Sequence, residues 1–265
     1  MSRIIAIANQ KGGVGKTTTA VNLAASLAST HRRILLVDLD PQGNATMGTG
    51  VDKRGLEHSA CDVLMGEADV DGVRLELAKA DLELVPANGD VTAAEVKLMD
   101  KIGREQRLNK ALAPVRGRYD YVIVDCPPAL NILTVNGLVA AHGVMIPMQC
   151  EYYALEGLTA LLNTIEEVRS SVNPELRIDG LLRTMYDGRN NLGADVSAQL
   201  TGHFGEQVYR TVIPRNVRLA EAPSHGRPVM YYDRTSRGAL AYLALAGEVL
   251  RRDTHAQRGE RASVT

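Results

Sequence analysis

Nine residues near the start, Lys11-Gly12-Gly13-Val14-Gly15-Lys16-Thr17-Thr18-Thr19, carry the most legible chemistry in this chain. Closely spaced glycines let backbone N–H groups turn inward and cradle phosphate oxygens. A helix opening directly behind them adds the attraction of its N-terminal dipole. In such a loop Lys16 reaches the β- and γ-phosphates, and the Thr17 hydroxyl ligates Mg²⁺. The usual pattern has a glycine where Gln10 stands, and here a second lysine, Lys11, opens the loop. Its stem leaves from the loop's mouth. The ammonium could fold back, lie in solvent, or reach a phosphate bound by another subunit.

A phosphate loop works only between a strand and a helix, and the pattern supplies both. Residues 3–8 form a short β-branched run, and 17–29 carry Ala20, Val21, Leu23, Ala24, Leu27 and Ala28 at helical spacing. Residues 33–39 are almost continuously apolar, as a buried parallel strand must be. Further strands are expected at 82–86, 119–125, 144–148, 178–185 and 208–213. Helices are expected at 92–112, 131–140, 156–170, 194–204 and 237–251. Alternation of this kind predicts an α/β fold, a doubly wound, mostly parallel sheet with helices on both faces. Residues 1–252 read as a single domain, and the polar stretch 253–265 as a disordered tail. Asp38, Asp40 and Asp125 fall at strand C-termini, where open α/β sheets carry their site residues; each could also be a simple strand-end cap.

Composition narrows the function classes. Hydrophobic residues make up 45% of the 265 and charged residues 23%, ample for a core. Aromatics are 4% with no Trp, which argues against a stacking groove for single strands. Cys61, Cys126 and Cys150 form neither a disulfide framework nor a metal knuckle. The apolar run at 4–8 is too short for a signal core, and no run nears the ~20 residues of a membrane span. A soluble, cytoplasmic protein is expected. Net charge is −1, so the whole chain lacks a nucleic-acid footprint. Yet the window 183–237 holds eight Arg against five acids, and no Lys follows Lys110. Guanidinium forks suit phosphate better than lysine point charges do.

KGGVGKTTT, VDLDPQGN (37–44) and VIVDCPP (122–128) together resemble the deviant Walker A ATPases of the ParA/MinD superfamily. MQCEYYALEG (148–157) and IPRNVRLAEAPSHGRPV (213–229) are similar to the ParA/Soj chromosome-partitioning branch. The resemblance covers residues 3–252 and implies a P-loop NTPase that hydrolyses ATP with Mg²⁺. It implies that Gly12, Gly13, Val14, Gly15, Lys16, Thr17 and Thr18 hold the nucleotide, with Pro214 and Asn216 near adenine. It implies a dimer closed by ATP, in which Lys11 touches the partner's phosphates. Asp40 would position the attacking water, Asp38 would support the Mg²⁺ shell, and Asp125 would hold Mg²⁺ through water.

Three outputs compete for such a switch. The resemblance implies DNA contacts in the segments carrying Arg189, Arg215, Arg218 and Arg227, with Arg189 and Arg218 the best matches. Phosphate contacts hold any duplex without reading its sequence. Arg215 could equally serve the nucleotide. A ParB-like centromere-binding partner would trigger hydrolysis, and the protein would be nucleoid-associated. Membrane cycling of the MinD kind needs a basic amphipathic C-terminal helix, whereas Leu240, Leu243 and Leu250 read as core contacts. A shared iron–sulfur cluster would need Cys126 and Cys150, which read as structural thiols. A positioning ATPase for a different cargo is the remaining alternative.

Overall fold

The computed structural model describes residues 2–151 and 156–262. The first half runs β1 (Arg3–Ile7), α1 (Lys16–Ala28), β2 (Ile34–Asp38), α2 (Asn44–Gly48), α3 (Ala60–Met65), α4 (Val70–Val73), β3 (Leu75–Leu77), β4 (Leu82–Val85), α5 (Val91–Leu98), α6 (Arg107–Leu112) and β5 (Tyr121–Asp125). The second half runs α7 (Ile132–Ala140), β6 (Gly143–Gln149), α8 (Glu156–Ser171), β7 (Arg177–Tyr186), α9 (Asn191–Phe204), β8 (Val208–Pro214), α10 (Val217–Glu221), α11 (Val229–Tyr232) and α12 (Arg237–Ala262). Among the described residues the strands form one eight-stranded sheet, ordered β3-β4-β2-β5-β1-β6-β7-β8. All neighbours are parallel except the β3–β4 hairpin at one edge.

The apolar runs explain this arrangement. β2 (ILLVD) and β5 (YVIVD) are buried at every position. Side chains alternate between the two faces of a sheet. Ile4, Ala6, Leu35, Val37, Val122 and Val124 therefore enter one core, with Leu133 of α7 and Leu161 of α8. Ile5, Ile7, Leu36 and Ile123 enter the other, with Leu23 and Leu27 of α1 and Tyr242 and Leu245 of α12. Each such buried side chain contributes roughly 1.5–3 kcal/mol. The central strands finish level with one another: Ile7 and Asp38 both pair with Asp125. That shared C-terminal edge is the floor of the site.

Four expectations need correction. The helix foreseen over 92–112 is broken, because Gly103 adopts a left-handed φ of 63° and turns the chain between α5 and α6. The stretch 41–81, where no element was foreseen, holds α2, α3, α4 and the edge strand β3. Leu240 is 55% exposed; α12 contacts the core through Ala239, Tyr242, Leu245, Ala246 and Val249, with Leu243 and Leu250 half-buried beside them. Finally, α12 does not stop at Arg251 but continues to Ala262. Asp253, foreseen as part of the tail, is buried, pairs with Arg3 and accepts from the Tyr121 hydroxyl. Arg3 also holds the buried Asp179 at 2.6 Å, so this cluster ties α12 to the N-terminal ends of β1 and β5 and to β7. Residues 263–265 and 152–155, the latter within the 148–157 segment, lie outside the described residues.

Asp253→Ala leaves the Tyr121 hydroxyl and half of Arg3 unpaired, at a cost of about 2 kcal/mol. For a domain of this size that lowers Tm by about 4–8 °C in a calorimetric scan. An unchanged Tm contradicts the clamp.

Candidate active site

The loop between β1 and α1 is shaped by glycine. Gly13 (φ 74°) and Gly15 (φ 88°) are left-handed, a conformation that side chains with a Cβ resist. Gly15 is the N-cap of α1 and brings no side chain to satisfy the first-turn N–H groups, so those donors face the loop's mouth. A Cβ built on Gly12 or Gly13 would meet no atom within 4 Å, which makes the cradle open. Lys16 is only 7% exposed, and its Nζ donates to the Lys11 carbonyl at 3.0 Å. Burial lowers its pKa, while Asp125 and Asp40 pull it back up. Thr17 and Thr18 are half-buried on the first turn of α1. The Lys11 ammonium is turned onto its own chain, 2.7 Å from Glu151 just beyond β6.

Three carboxylates converge beneath this loop, and their bonding separates their roles. Asp125 is fully buried, and neither of its oxygens closes a hydrogen bond of normal geometry. Burial first, then Asp38, push its carboxyl well above the usual range; Thr17 and Lys16 oppose this. Asp38 is equally buried but fully occupied. It accepts from the Asp40 N–H (3.1 Å), the Thr46 N–H (2.9 Å) and the Thr46 hydroxyl (2.8 Å). Thr46 Oγ1 in turn accepts from the Ala87 N–H at 2.9 Å. Asp38 therefore anchors the turn that presents Asp40. Burial raises the Asp38 carboxyl, against those three hydrogen bonds. Asp40 is 8% exposed and accepts one bond, from the Gln42 N–H at 2.9 Å.

The residues present fit Mg²⁺ with a triphosphate. Among the described residues no group of three His, Cys, Asp or Glu side chains is placed to hold a metal unaided. A cation here would need phosphate oxygens as ligands, with Thr17 beside them and the unpartnered Asp125 behind. Cys126 is 1% exposed, and burial pushes its thiol up, as in a structural cysteine. Cys150 is half-buried.

Pro214 and Asn216 sit at the end of β8, which β7 joins to the loop: Thr184 of β7 donates to the Val14 carbonyl at 2.7 Å, and Tyr186 pairs with Pro214. The half-buried Asn216 has an unpartnered Oδ1. Of the arginines, Arg189 is chelated by Asp187 at 2.7 and 2.9 Å, and Arg218 is held by Glu221 at 2.7 Å and Asp233 at 3.3 Å. Arg215 lies beside the Asp187–Arg189 pair, its N–H on the Tyr186 carbonyl. Arg215 and Arg227 are exposed and make no ion pair among the described residues. Sequence reasoning missed Thr46, just past the 37–44 segment, Glu151, inside the 148–157 segment, and Thr184, which has no motif around it.

The AAA domain family matches residues 2–178. The sporulation initiation inhibitor protein Soj of Bacillus subtilis (strain 168) is 53% identical over 249 residues, covering 94% of this chain and 98% of that protein. The chromosome partitioning protein ParA of Myxococcus xanthus (strain DK1622) is 50% identical, covering 96% and 90%. This chain belongs to the ParA/Soj family of chromosome-partitioning ATPases. A solved structure of cobyrinic acid a,c-diamide synthase from Mycobacterium smegmatis, with ADP and magnesium bound, superposes with a TM-score of 0.85 at 40% identity, covering 96% of each chain. The ParA/Soj relatives are thus nearer in sequence than that synthase.

The raised carboxyl of Asp125 has a measurable sign. A folded-state pKa above the unfolded value means that the native state binds the extra proton. Asp125 therefore costs stability increasingly as pH rises from about 4 through its folded pKa. Asp125→Asn in this ParA/Soj chain should raise the Tm of nucleotide-free protein at pH 8, with the gain vanishing toward pH 4. A lower Tm at pH 8 would show that the carboxylate is satisfied after all.

Proposed function

We propose that this partitioning ATPase is an ATP-gated dimer that grips DNA without reading its sequence and lets go after hydrolysis. The observation that carries this reading is the buried, unpartnered Asp125 beneath an open glycine cradle. When bound, Mg²⁺ would supply the positive charge that offsets the β- and γ-phosphate oxygens; Thr17 would hold it directly and Asp125 through water.

The chain's own groups do the rest. The loop amides from Gly12 to Thr18 and the α1 dipole bind the phosphates. Lys16 exchanges the Lys11 carbonyl for the β- and γ-phosphates, stabilising charge where it grows in the transition state. Asp40, fixed by the Asp38–Thr46 knot, orients the attacking water. Lys11 leaves Glu151 and adds its ammonium to the phosphates of the partner subunit. That pair is exposed, 38% and 53%, so little stability opposes its release. Pro214 and the free Asn216 amide oxygen flank the base. A ParB-like partner accelerates hydrolysis, which reopens the dimer.

Arg189, Arg215, Arg218 and Arg227 form the DNA-facing set. Exposed ion pairs such as Arg189–Asp187 exchange readily for phosphate, because solvent screens them and holding them costs side-chain entropy. Among the described residues no helix is long and apolar enough to cross a membrane. The protein works in the cytoplasm, on the nucleoid.

A DNA-retention assay tests the reading. Random duplex should be retained with ATP, and not with ADP or without nucleotide. Retention should fall steeply with salt, and Lys16→Ala should abolish it. Equal retention in all three nucleotide states contradicts the proposal. Separately, Arg218→Glu should weaken retention at least tenfold while ATP-driven dimerisation survives; undiminished retention would move the DNA surface elsewhere.

A further inference from the structure

Two residues at the end of β7 lie between the phosphate loop and the arginines. Thr184 is 2% exposed, and its hydroxyl donates to the Val14 carbonyl at 2.7 Å. Among the described residues, no other side chain from beyond residue 15 bonds to a carbonyl of residues 11–15 except Lys16. Met185 comes next, with a left-handed φ of 48°. Among the described residues the other non-glycine positions with positive φ are His31 and Asp81, types that tolerate it; methionine does not. Met185 Cε and the Thr184 side chain both stand 3.9 Å from where a Cβ on Gly15 would project.

The strain coincides with a bulge. Arg183 pairs with Val212 and Tyr186 with Pro214, so β7 takes three steps against two on β8. Bulges concentrate beside functional sites and re-aim the chain beyond them. Directly beyond this one stands Tyr186, whose carbonyl accepts the Arg215 N–H at 3.3 Å. Asp187 then accepts from the Arg189 N–H at 3.1 Å as well as from its guanidinium. Asn190 caps α9 through the Gly193 N–H. Four residues, 185–188, thus separate a hydroxyl bonded to the phosphate loop from an arginine on the surface.

We infer that Thr184 and Met185 are positioning residues that make the arginine-bearing turn track the phosphate loop. The inference rests on the DNA reading above. When phosphates draw Lys16 off the Lys11 carbonyl, the loop backbone resets, and the Val14 carbonyl takes the Thr184 hydroxyl with it. Met185 is the element with two states: left-handed and bulged in this structure, or relaxed to extended backbone. Strain held at one residue persists only while its surroundings enforce it. A small shift of the loop therefore suffices to swing Arg189 and Arg215.

The test uses the full chain, Mg²⁺, the β,γ-imido analogue of ATP and a random DNA duplex. Thr184→Val keeps the volume and removes the hydroxyl; Thr184→Ser keeps the hydroxyl; Met185→Gly removes the strain, together with the contact between its sulfur and the Gln149 amide. With saturating analogue, Thr184→Val and Met185→Gly should still dimerise by light scattering but bind DNA at least tenfold more weakly. Their slope of log affinity against log salt should match wild type, because the same phosphates are contacted once binding occurs. Arg189→Ala should instead shallow that slope by roughly one. Thr184→Ser should restore wild-type affinity. The inference is overturned if both Thr184→Val and Met185→Gly bind DNA as wild type does, or if their salt slopes shallow as Arg189→Ala does. If wild type itself shows no analogue-dependent DNA binding, the DNA reading has failed instead.

Discussion

A carboxylate sealed at the end of a buried strand, with no hydrogen bond of normal geometry to either oxygen, is the constraint on which this structure turns. Burying an unpaired charge costs several kcal/mol even after relaxation. Asp125 bears that cost whenever it ionises, since neither oxygen closes a hydrogen bond of normal geometry. The neighbouring Asp38 adds repulsion, and Lys16 above gives partial relief. Core packing could remove the cost by placing an apolar residue there. The chain instead keeps the acid beneath an open cradle of N–H groups. That arrangement makes sense when a cation and a polyphosphate complete it.

The same logic runs outward from the floor. In this structure the mobile charges of the site are neutralised within one chain. Lys16 rests on the Lys11 carbonyl, and Lys11 rests on Glu151. On the surface, Arg189 rests on Asp187 and Arg218 on Glu221 and Asp233. Each contact is local and weak, and each points to a stronger anionic partner. The proposed switch therefore needs no large rearrangement of the core. It needs phosphates that displace a carbonyl and a few exposed carboxylates.

Much of this was legible in the residues. GKT behind a strand gave the loop, and the apolar runs gave the sheet and its central strands. Asp125 could be placed because it ends the run YVIVD. Its isolation could not, since the lack of partners depends on everything that packs around it. Thr46, Glu151 and Thr184 were hidden for a related reason. Glu151 and Thr184 are single polar residues brought in by parallel strand order, which joins positions far apart in sequence, whereas Thr46 comes from the short helix α2 that the sequence did not show. Asp253 looked like tail because its partners, Arg3 and Tyr121, lie more than 130 positions away. The break at Gly103 was overridden in sequence by the apolar periodicity on both sides of it. Among the arginines, the family resemblance favoured Arg189 and Arg218, yet those are the ion-paired ones, while Arg215 and Arg227 make no ion pair among the described residues.

The claim that unites these observations is that Lys11 leaves Glu151 for the nucleotide of a second subunit. Light scattering on Asp40→Ala, saturated with ATP and Mg²⁺, addresses it directly. The account predicts a mass twice the 28.6 kDa of one chain, returning to one chain when Lys11→Ala is added. A single-chain mass for Asp40→Ala at saturating ATP, or an undiminished dimer without the Lys11 ammonium, would contradict it.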